Sequence, residues 1–220
     1  MMTILIATRN AHKTAEIRAL LGPRRLCLTL NDFPAAPPVT EDAPTFAGNA
    51  AKKAFEIAVW LANNWTLELD PGAFYVLADD SGLEVDALNG APGVYSARYA
   101  ALDSGQPGNS SDADNNAKLM RQLAGVAPDQ RTARFRCALA LAHPADKKLK
   151  LQNVRCFDGT CEGRIQSTAS GQHGFGYDPL FVPAGFAQSF AELGSEVKDA
   201  ISHRAGALAK LKAFLDSAKA

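Results

Sequence analysis

The sequence has no excess of charge of either sign. Its 220 residues contain 23 Lys plus Arg and 23 Asp plus Glu, so the formal net charge at pH 7 is zero. Proteins that hold long nucleic acids by their phosphates usually carry a basic excess. Balanced charge therefore argues against a nucleic-acid partner, whereas a small anionic ligand needs only a few cations that converge locally.

Long apolar runs are also missing, and cysteine is scarce. No stretch approaches the ~20 apolar residues that cross a bilayer, and the apolar start over residues 1–7 lacks the basic residues and cleavage site of a secretory signal. The four cysteines have no paired metal-type spacing, so we expect free, buried thiols in a reducing compartment. These absences predict a cytoplasmic protein without a membrane partner.

The first half of the chain alternates between strand and helix signals. A short β-branched run over 3–7, a polar turn and an apolar face over 11–21 predict a strand followed by a helix. A proline-rich extended loop over 34–44 leads to a second helix over 45–63. A second buried strand is predicted over 74–78. This order is typical of α/β proteins.

The second half predicts more strands and two further helices. Residues 132–142 alternate with the period of a half-buried strand, and segments 149–157 and 163–168 are expected to pair with it. Helices are predicted over 112–123 and 199–218. Two loops complete the assignment, a polar link over 63–72 and a flexible loop over 103–109. No internal repeat or domain linker is evident in the sequence, so we expect 1–220 to form a single domain.

Two adjacent carboxylates, Asp79 and Asp80, follow the predicted strand over 74–78. Folds of the α/β class bind ligands at the carboxyl ends of their strands, and Mg²⁺ prefers a few carboxylates together with water and phosphate oxygens. Glu41 would supply a further ligand if the proline-rich loop folds over the sheet edge. The residues alone leave two interpretations open, a metal site or a solvated acidic turn.

Three other segments carry groups that suit a nucleotide. The segment from Thr8 to Lys13 opens a predicted helix, and taken alone it indicates a capped helix start with an exposed lysine more than a phosphate cradle. The glycines and aromatic rings of segment 174–179 suit a purine or a tight turn. Lys198, His203 and Arg204 begin the last predicted helix, where they are either surface residues or ligands of phosphate or base.

Taken in chain order, these segments resemble the noncanonical purine nucleoside triphosphate pyrophosphatases, the inosine/xanthosine triphosphatase family. The motifs that carry the resemblance are T-x-N-x-x-K from Thr8, T-F-x-x-N-A from Thr45, A-D-D-S-G-L from Ala78, G-A-P-G-V-Y-S-A-R-Y from Gly90, G-F-G-Y-D-P from Gly174 and K-x-x-I-S-H-R from Lys198. Each motif alone is of modest specificity, but six in one order are very specific.

The resemblance implies a mixed α/β fold in which helices flank an elongated central sheet and two lobes enclose the active-site cleft. It also implies a homodimer and a reaction in which a nucleoside triphosphate and water give a monophosphate and pyrophosphate. The implied substrates are ITP, dITP and XTP, and the implied cofactor is Mg²⁺. Two alternatives remain, a pyrophosphatase for modified pyrimidine nucleotides and a non-catalytic nucleotide-binding protein.

The resemblance also assigns roles to residues. Asp80 matches the catalytic proton acceptor and, with Glu41, the metal ligands. The matching substrate-binding positions are Thr8, Arg9, Asn10, Ala11, His12, Lys13, Ser81, Phe175, Gly176, Tyr177, Asp178, Lys198, His203 and Arg204. Asp79 receives no role.

Two residues depart from the family pattern. Arg9 stands where glycine is common, and Gly48 stands where an acidic residue is frequent. The link over 63–72 also looks longer than in compact members. These departures put the approach of the first loop to phosphate, and a metal or water contact at position 48, in doubt.

Overall fold

The computed structural model describes residues 2–65, 70–105 and 107–217. Its contacts divide the chain into two compact units. The first unit comprises Met1–Asp80, Cys137–Asp158 and Ala207–Ala220, and the second comprises Ser81–Arg136 and Gly159–Gly206. The chain therefore passes from the first unit to the second between the neighbouring residues Asp80 and Ser81.

The described strands form a six-stranded sheet in the order β2-β1-β3-β4-β5-β6. The strands are β1 (Thr3–Ile6), β2 (Leu26–Thr29), β3 (Phe74–Val85), β4 (Thr132–Ala142), β5 (Arg155–Ile165) and β6 (Phe181–Pro183). Strand β1 pairs in parallel with both β2 and β3, while β5 and β6 are antiparallel. The predicted mixed α/β class is thus confirmed.

Helices flank this sheet, and most begin at a capping side chain. They are α1 (Ala11–Leu21), α2 (Phe46–Asn63), α3 (Ala101–Ser104), α4 (Asp112–Gln122), α5 (Phe190–Ile201) and α6 (His203–Ser217). Asn10, Thr45 and Ser111 each accept a hydrogen bond from a backbone N–H in the first turn of α1, α2 and α4. The three helices predicted over 11–21, 45–63 and 112–123 are confirmed within one residue.

Each unit has its own apolar core. In the first unit, Ile4 and Ile6 of β1 pack with Ile17 of α1 and with Leu208 and Leu211 of α6. In the second unit, the core is built mainly of aromatic and branched side chains from the strands, α4 and α5. Its members include Leu83, Val85, Leu119, Phe135, Phe181 and Phe190. Among the described residues, no helix is both long and apolar enough to cross a membrane.

Two strand predictions are wrong in their boundaries. Strand β3 continues to Val85, so the acidic pair lies inside a strand and not after its end. Strand β5 is one continuous strand where two were predicted over 149–157 and 163–168. Gly163, where the second of these strands was predicted to start, lies inside β5 and allows β6 to approach, because a Cβ there would lie 2.4 Å from the carbonyl oxygen of Val182.

The end of the chain also differs from its prediction. The predicted helix over 199–218 is two helices, because Ser202 has extended backbone angles between α5 and α6. Helix α5 was not predicted, although Ser189 and Glu192 form the capping box that starts it. Gly194 interrupts α5 with a positive φ of 77°.

The loop and cysteine predictions have mixed outcomes. Within the link predicted over 63–72, residues 66–69 lie outside the described residues. The loop predicted over 103–109 begins inside the short helix α3, and Gln106 also lies outside the described residues. All four cysteines are free, but Cys156 is exposed, so the prediction of buried thiols is wrong for that residue.

Candidate active site

Strand β3 carries both acidic side chains of the predicted site. Asp79 is 1% exposed and Asp80 is 6% exposed, so neither belongs to a solvated turn. Successive side chains of a strand point to opposite faces of the sheet. The two carboxylates accordingly have different neighbours, and each set belongs to the first unit.

Asp80 faces the first turn of α2. The side-chain amide of Asn49 donates to Asp80 Oδ2 at 3.1 Å. Burial raises the pKa of Asp80 to about 6, against the lowering effect of Lys13, and the negative charge of Glu41 adds to the rise. Asp80 is therefore a carboxylate at neutral pH that is well matched to accept a proton.

The proline-rich loop folds over this carboxylate, as the metal-site interpretation requires. The ammonium of Lys53 forms an ion pair with Glu41 of the loop and donates to the backbone oxygen of Asp79 at 3.1 Å. Asn49 Oδ1 accepts from the backbone N–H of Ala43 at 2.9 Å. Helix α2 thus holds the loop through two side chains one turn apart.

Asn49 and Lys53 contact the acidic residues of the candidate site, and the sequence reasoning selected neither of them as a site residue. Asn49 was noted only as part of a motif, and Lys53 was not noted. A signal was nevertheless present, since the two polar residues are four apart in a predicted helix and therefore share a face. Asn49 is 1% exposed, and polar side chains that are this deeply buried normally form hydrogen bonds.

Asp79 contacts the phosphate-cradle segment. Lys13 Nζ lies 2.6 Å from Asp79 Oδ1, and the thiol of Cys137 donates to Asp79 Oδ2 at 3.4 Å. The Asp79 carboxylate is fully buried while Lys13 is 18% exposed at its side chain. Asp79 therefore fixes the direction of a partly exposed cation, a position in which Lys13 still reaches solvent.

The rest of the segment forms the start of α1. Asn10 Oδ1 accepts from the backbone N–H of Lys13, and Thr8 Oγ1 accepts from the N–H of Asn10, both at 3.1 Å. Ala11 and His12 are exposed in the first turn. The guanidinium of Arg9 donates to the backbone oxygen of Ala36 at 3.1 Å.

The two departures from the family pattern both affect the proline-rich loop. Through its bond to Ala36, Arg9 ties the loop to the start of α1. Gly48 lets the loop approach α2, because a Cβ at this position would lie 2.8 Å from the Cβ of Ala43. An acidic side chain at position 48 would require the loop to move.

Glu41 and Asp80 are the two residues predicted to bind a divalent cation. In the parts of the chain that the structure describes, no group of three or more His, Cys, Asp or Glu side chains forms a metal cluster. After burial, the proximity of Glu41 is what raises the pKa of Asp80, and a cation would offset that repulsion. Because Mg²⁺ commonly uses one or two carboxylates plus water and phosphate, the donor set fits it.

In the second unit, an ion pair organises the loop from Gly174 to Asp178. Lys198 Nζ lies 2.5 Å from Asp178 Oδ2, and both side chains are buried. The same carboxylate oxygen accepts from the backbone N–H of Phe175 at 2.8 Å. Lys198 also lies over the Phe175 ring, 4.6 Å from its centroid. A Cβ at Gly174 would lie 2.1 Å from Asp178 Oδ2, so this position requires glycine.

Three further predicted substrate residues of this unit are buried, namely Tyr177, His203 and Arg204. Arg204 is 1% exposed, and its guanidinium donates to Ser81 Oγ at 2.8 Å. The His203 ring stacks on Phe135 with centroids 4.8 Å apart. The Tyr177 hydroxyl donates to the backbone oxygen of Ser96 at 2.8 Å, so its ring belongs to the core.

The chain is similar to known proteins over nearly its whole length. A model of the Ham1 family matches residues 4–214. A dITP/XTP pyrophosphatase from Desulforamulus reducens is 46% identical over 216 residues, which cover 98% of this chain and 96% of that protein.

Solved structures are similar over the same length. A HAM1 protein from Coxiella burnetii has a TM-score of 0.79 at 34% identity, with 99% of this chain and 100% of that chain covered. A nucleoside-triphosphatase / dITP/XTP pyrophosphatase from Mycobacterium abscessus has a TM-score of 0.68 at 40% identity, with 96% and 98% covered. The similarity thus extends well beyond the six motifs.

Proposed function

The chain belongs to the Ham1 family, and from this membership and the site we propose that it hydrolyses noncanonical purine nucleoside triphosphates. ITP, dITP and XTP would each give a nucleoside monophosphate and pyrophosphate. The observation that carries the proposal is Asp80, a buried carboxylate of pKa about 6 with two lysines and Glu41 around it. The names of its relatives, dITP/XTP pyrophosphatases, support the substrate class.

The chemical step adds water across the bond between the α- and β-phosphates. Asp80 accepts the proton of the attacking water, and the broken bond leaves its electron pair on the departing pyrophosphate oxygen. A base of pKa near the working pH combines a large deprotonated fraction with useful basicity. Asn49 orients the Asp80 carboxylate through its hydrogen bond to Oδ2.

Enzymes that cut nucleoside triphosphates generally need a divalent metal ion. We propose that Glu41 and Asp80 hold Mg²⁺, which when bound neutralises phosphate charge and lowers the pKa of a water molecule. Asn49 and Lys53 hold the Glu41 loop in place for this role.

The segment from Thr8 to Lys13 is the proposed triphosphate site. Backbone N–H groups at the start of α1 and the helix dipole attract anions. Lys13 adds a cation whose direction Asp79 fixes, and it stabilises the charge that develops on pyrophosphate. Arg9 supports the segment through its bond to Ala36.

The proposed purine site uses Ser81, the loop from Phe175 to Asp178, Lys198, His203 and Arg204. Donors from Arg204, His203 and the loop backbone would face the 6-keto oxygen of the base. A 6-amino purine would place a donor against these donors, and buried unpaired donors are costly. The buried positions of Arg204 and His203 support this form of discrimination.

Four broader expectations accompany this activity. We propose that both units form one catalytic domain, and that the protein acts as a homodimer in the cytoplasm. Balanced charge supports a small-molecule substrate and disfavours nucleic acid as a partner. Light scattering of the purified protein measures the oligomeric state, and a monomer at working concentration contradicts the dimer.

The test is pyrophosphate release from ITP, XTP, dITP, GTP and ATP, with and without Mg²⁺. We expect ITP, dITP and XTP to be preferred over ATP by at least about 100-fold in kcat/KM, and activity to require the metal. Asp80→Asn should abolish hydrolysis while nucleotide binding persists. Comparable turnover of ATP and ITP, or preference for a modified pyrimidine triphosphate in the same assay, contradicts the proposal.

A further inference from the structure

Two side chains of helix α4 form hydrogen bonds with the backbone N–H and the backbone carbonyl of Gly176. The Gly176 N–H donates to Asp112 Oδ2 at 2.7 Å, and Asn116 Nδ2 donates to the Gly176 carbonyl oxygen at 2.9 Å. Asp112 and Asn116 are four residues apart, so they share one face of the helix. Both polar groups of one loop residue are therefore taken up by two side chains of one rigid element.

These two hydrogen bonds lie at the centre of the proposed purine loop. Gly176 has a positive φ of 62°, which places Phe175 and Tyr177 on either side of a left-handed turn. Asp178 and Lys198 hold the two ends of the loop. The backbone groups of the middle of the loop depend on Asp112 and Asn116 for their direction.

Helix α4 is itself anchored independently of the loop. Asn115 accepts from the backbone N–H of Ala100 at 2.9 Å, and the ammonium of Lys118 donates to the backbone oxygen of Tyr99 at 2.8 Å. Both anchoring side chains are buried. The helix can thus serve as a fixed support, which a binding loop needs if it is to hold backbone donors in place.

The side-chain oxygen of Asn116 lies in an unfavourable environment. Its Oδ1 atom is buried and has no hydrogen-bond partner in residues 2–65, 70–105 and 107–217. An unsatisfied buried acceptor lowers stability, so the side chain is not explained by packing alone. Within the described part of the chain, the side chain of Asn116 forms the hydrogen bond that Nδ2 donates to Gly176.

We propose that Asp112 and Asn116 are positioning residues that set base selectivity by orienting the backbone of Gly176. The inference rests on the proposed function, because selectivity has meaning only for a nucleotide substrate. Neither residue takes part in the phosphate chemistry, which belongs to Asp80 and Lys13. Loss of either hydrogen bond to Gly176 therefore weakens recognition of the purine and leaves the bond-breaking step intact.

The experiment compares kcat and KM for ITP and ATP in the wild type, Asp112→Ala, Asp112→Asn and Asn116→Ala. We expect Asp112→Ala to raise KM for ITP about tenfold with kcat within about twofold, since a charge-assisted hydrogen bond is lost. The ITP:ATP ratio of kcat/KM should fall by a similar factor. Asp112→Asn keeps an acceptor oxygen and should recover most of the ratio.

Asp114→Ala is the matched control, because Asp114 lies in the same helical turn and its side chain accepts a hydrogen bond from Ser111, with no hydrogen bond to the loop among the described residues. Asn116→Leu removes the unsatisfied acceptor, so it should keep or raise the midpoint of thermal unfolding while the ITP:ATP ratio falls. This split separates positioning from a purely structural role, in which stability and activity fall together.

Three outcomes decide the matter. A lower ITP:ATP ratio in Asp112→Ala and Asn116→Ala, with the ratio largely recovered in Asp112→Asn and unchanged in Asp114→Ala, supports the inference. A ratio equal to that of the wild type in folded Asp112→Ala and Asn116→Ala, with ITP kinetics unaltered, overturns it alone. A wild-type enzyme that releases no pyrophosphate from ITP overturns the proposed function first, and the inference with it.

Discussion

The ammonium of Lys13 lies 2.6 Å from Asp79 Oδ1. The pair joins the start of α1 to the middle of β3, next to the proposed catalytic carboxylate Asp80. On the other side of Asp79, the thiol of Cys137 donates to Oδ2. Asp79 is thus a support for Lys13, held from behind by a buried thiol.

Asp79→Asn should weaken this support. Breaking a buried ion pair from one side commonly costs 3–5 kcal/mol, and the partial exposure of Lys13 reduces the expected loss to about 2 kcal/mol of unfolding free energy. We expect kcat/KM for ITP to fall about 100-fold, since Lys13 loses its direction. Urea unfolding and steady-state kinetics measure the two effects.

Cys137→Ser is the control for that substitution, because a hydroxyl still donates to Asp79 Oδ2. It should retain activity within about threefold, whereas Cys137→Ala should lose more. If Asp79→Asn keeps kcat/KM within twofold of the wild type, the support role is wrong.

Asp80→Asn should stabilise the metal-free protein at neutral and alkaline pH. Burial raises the pKa of Asp80 from 3.8 to about 6, so the folded state favours the protonated carboxyl. Its contribution to stability is fully present below pH 3.8 and is lost as the pH rises through about 6. The variant should therefore exceed the wild type by up to about 3 kcal/mol at about pH 8, and by less at about pH 5.

Urea unfolding in a chelator measures this difference. Asp86→Asn is the control of opposite sign, because hydrogen bonds from Arg134 and Thr132 lower the pKa of Asp86. Asp86 stabilises the fold above its unfolded pKa and loses this effect as the pH falls. Its variant should therefore be less stable than the wild type at about pH 8. A destabilised Asp80→Asn at that pH contradicts the pKa argument.

Asn49→Ala should weaken the response to metal. The change removes the hydrogen bond to Asp80 and the one from the Ala43 N–H, so the loop that carries Glu41 loses a buried attachment. We expect the Mg²⁺ concentration at half-maximal activity to rise about tenfold, the usual scale for loss of a group that orients a metal ligand. Magnesium titration of ITP hydrolysis measures it.

Lys52→Ala is the matched control for Asn49. Lys52 also joins α2 to the proline-rich loop, through an exposed ion pair with Asp42 at 2.7 Å. An exposed pair of this kind contributes about 0–1 kcal/mol, so the magnesium titration should not change. If both variants raise the Mg²⁺ requirement equally, the effect comes from any attachment of the loop to α2 and not from Asn49 in particular.

Gly48→Ala should displace the proline-rich loop. Its new Cβ would lie 2.8 Å from the Cβ of Ala43, so we expect a loss of about 1–3 kcal/mol in unfolding free energy. Adding Ala43→Gly removes the clash and should restore most of that loss. A double-mutant cycle measures the coupling, and additive effects of the two substitutions contradict the close approach.

Much of the fold was accessible from local sequence pattern. The helices α1, α2 and α4 were predicted to within one residue, and β4 was predicted with its boundaries, because each has a regular apolar period. The predictions were wrong where tertiary contact decides the backbone. A separate strand was predicted to start at Gly163, yet this residue lies within β5, where Phe181 and Val182 pack against it. Ser202 separates two helices that the apolar pattern joins.

The sequence by itself determined which reactive and binding groups this protein carries. They are the acidic pair of β3, Lys13 near the start of α1, and the loop of glycines and aromatic residues before Asp178. Only the tertiary structure decided how these groups are paired. Asp79 holds Lys13, Asn49 reaches Asp80, and Asp112 holds Gly176. Pattern along a chain follows from the period of one element, whereas these contacts join residues that are 31 to 66 positions apart. Their geometry depends on how separate elements pack together.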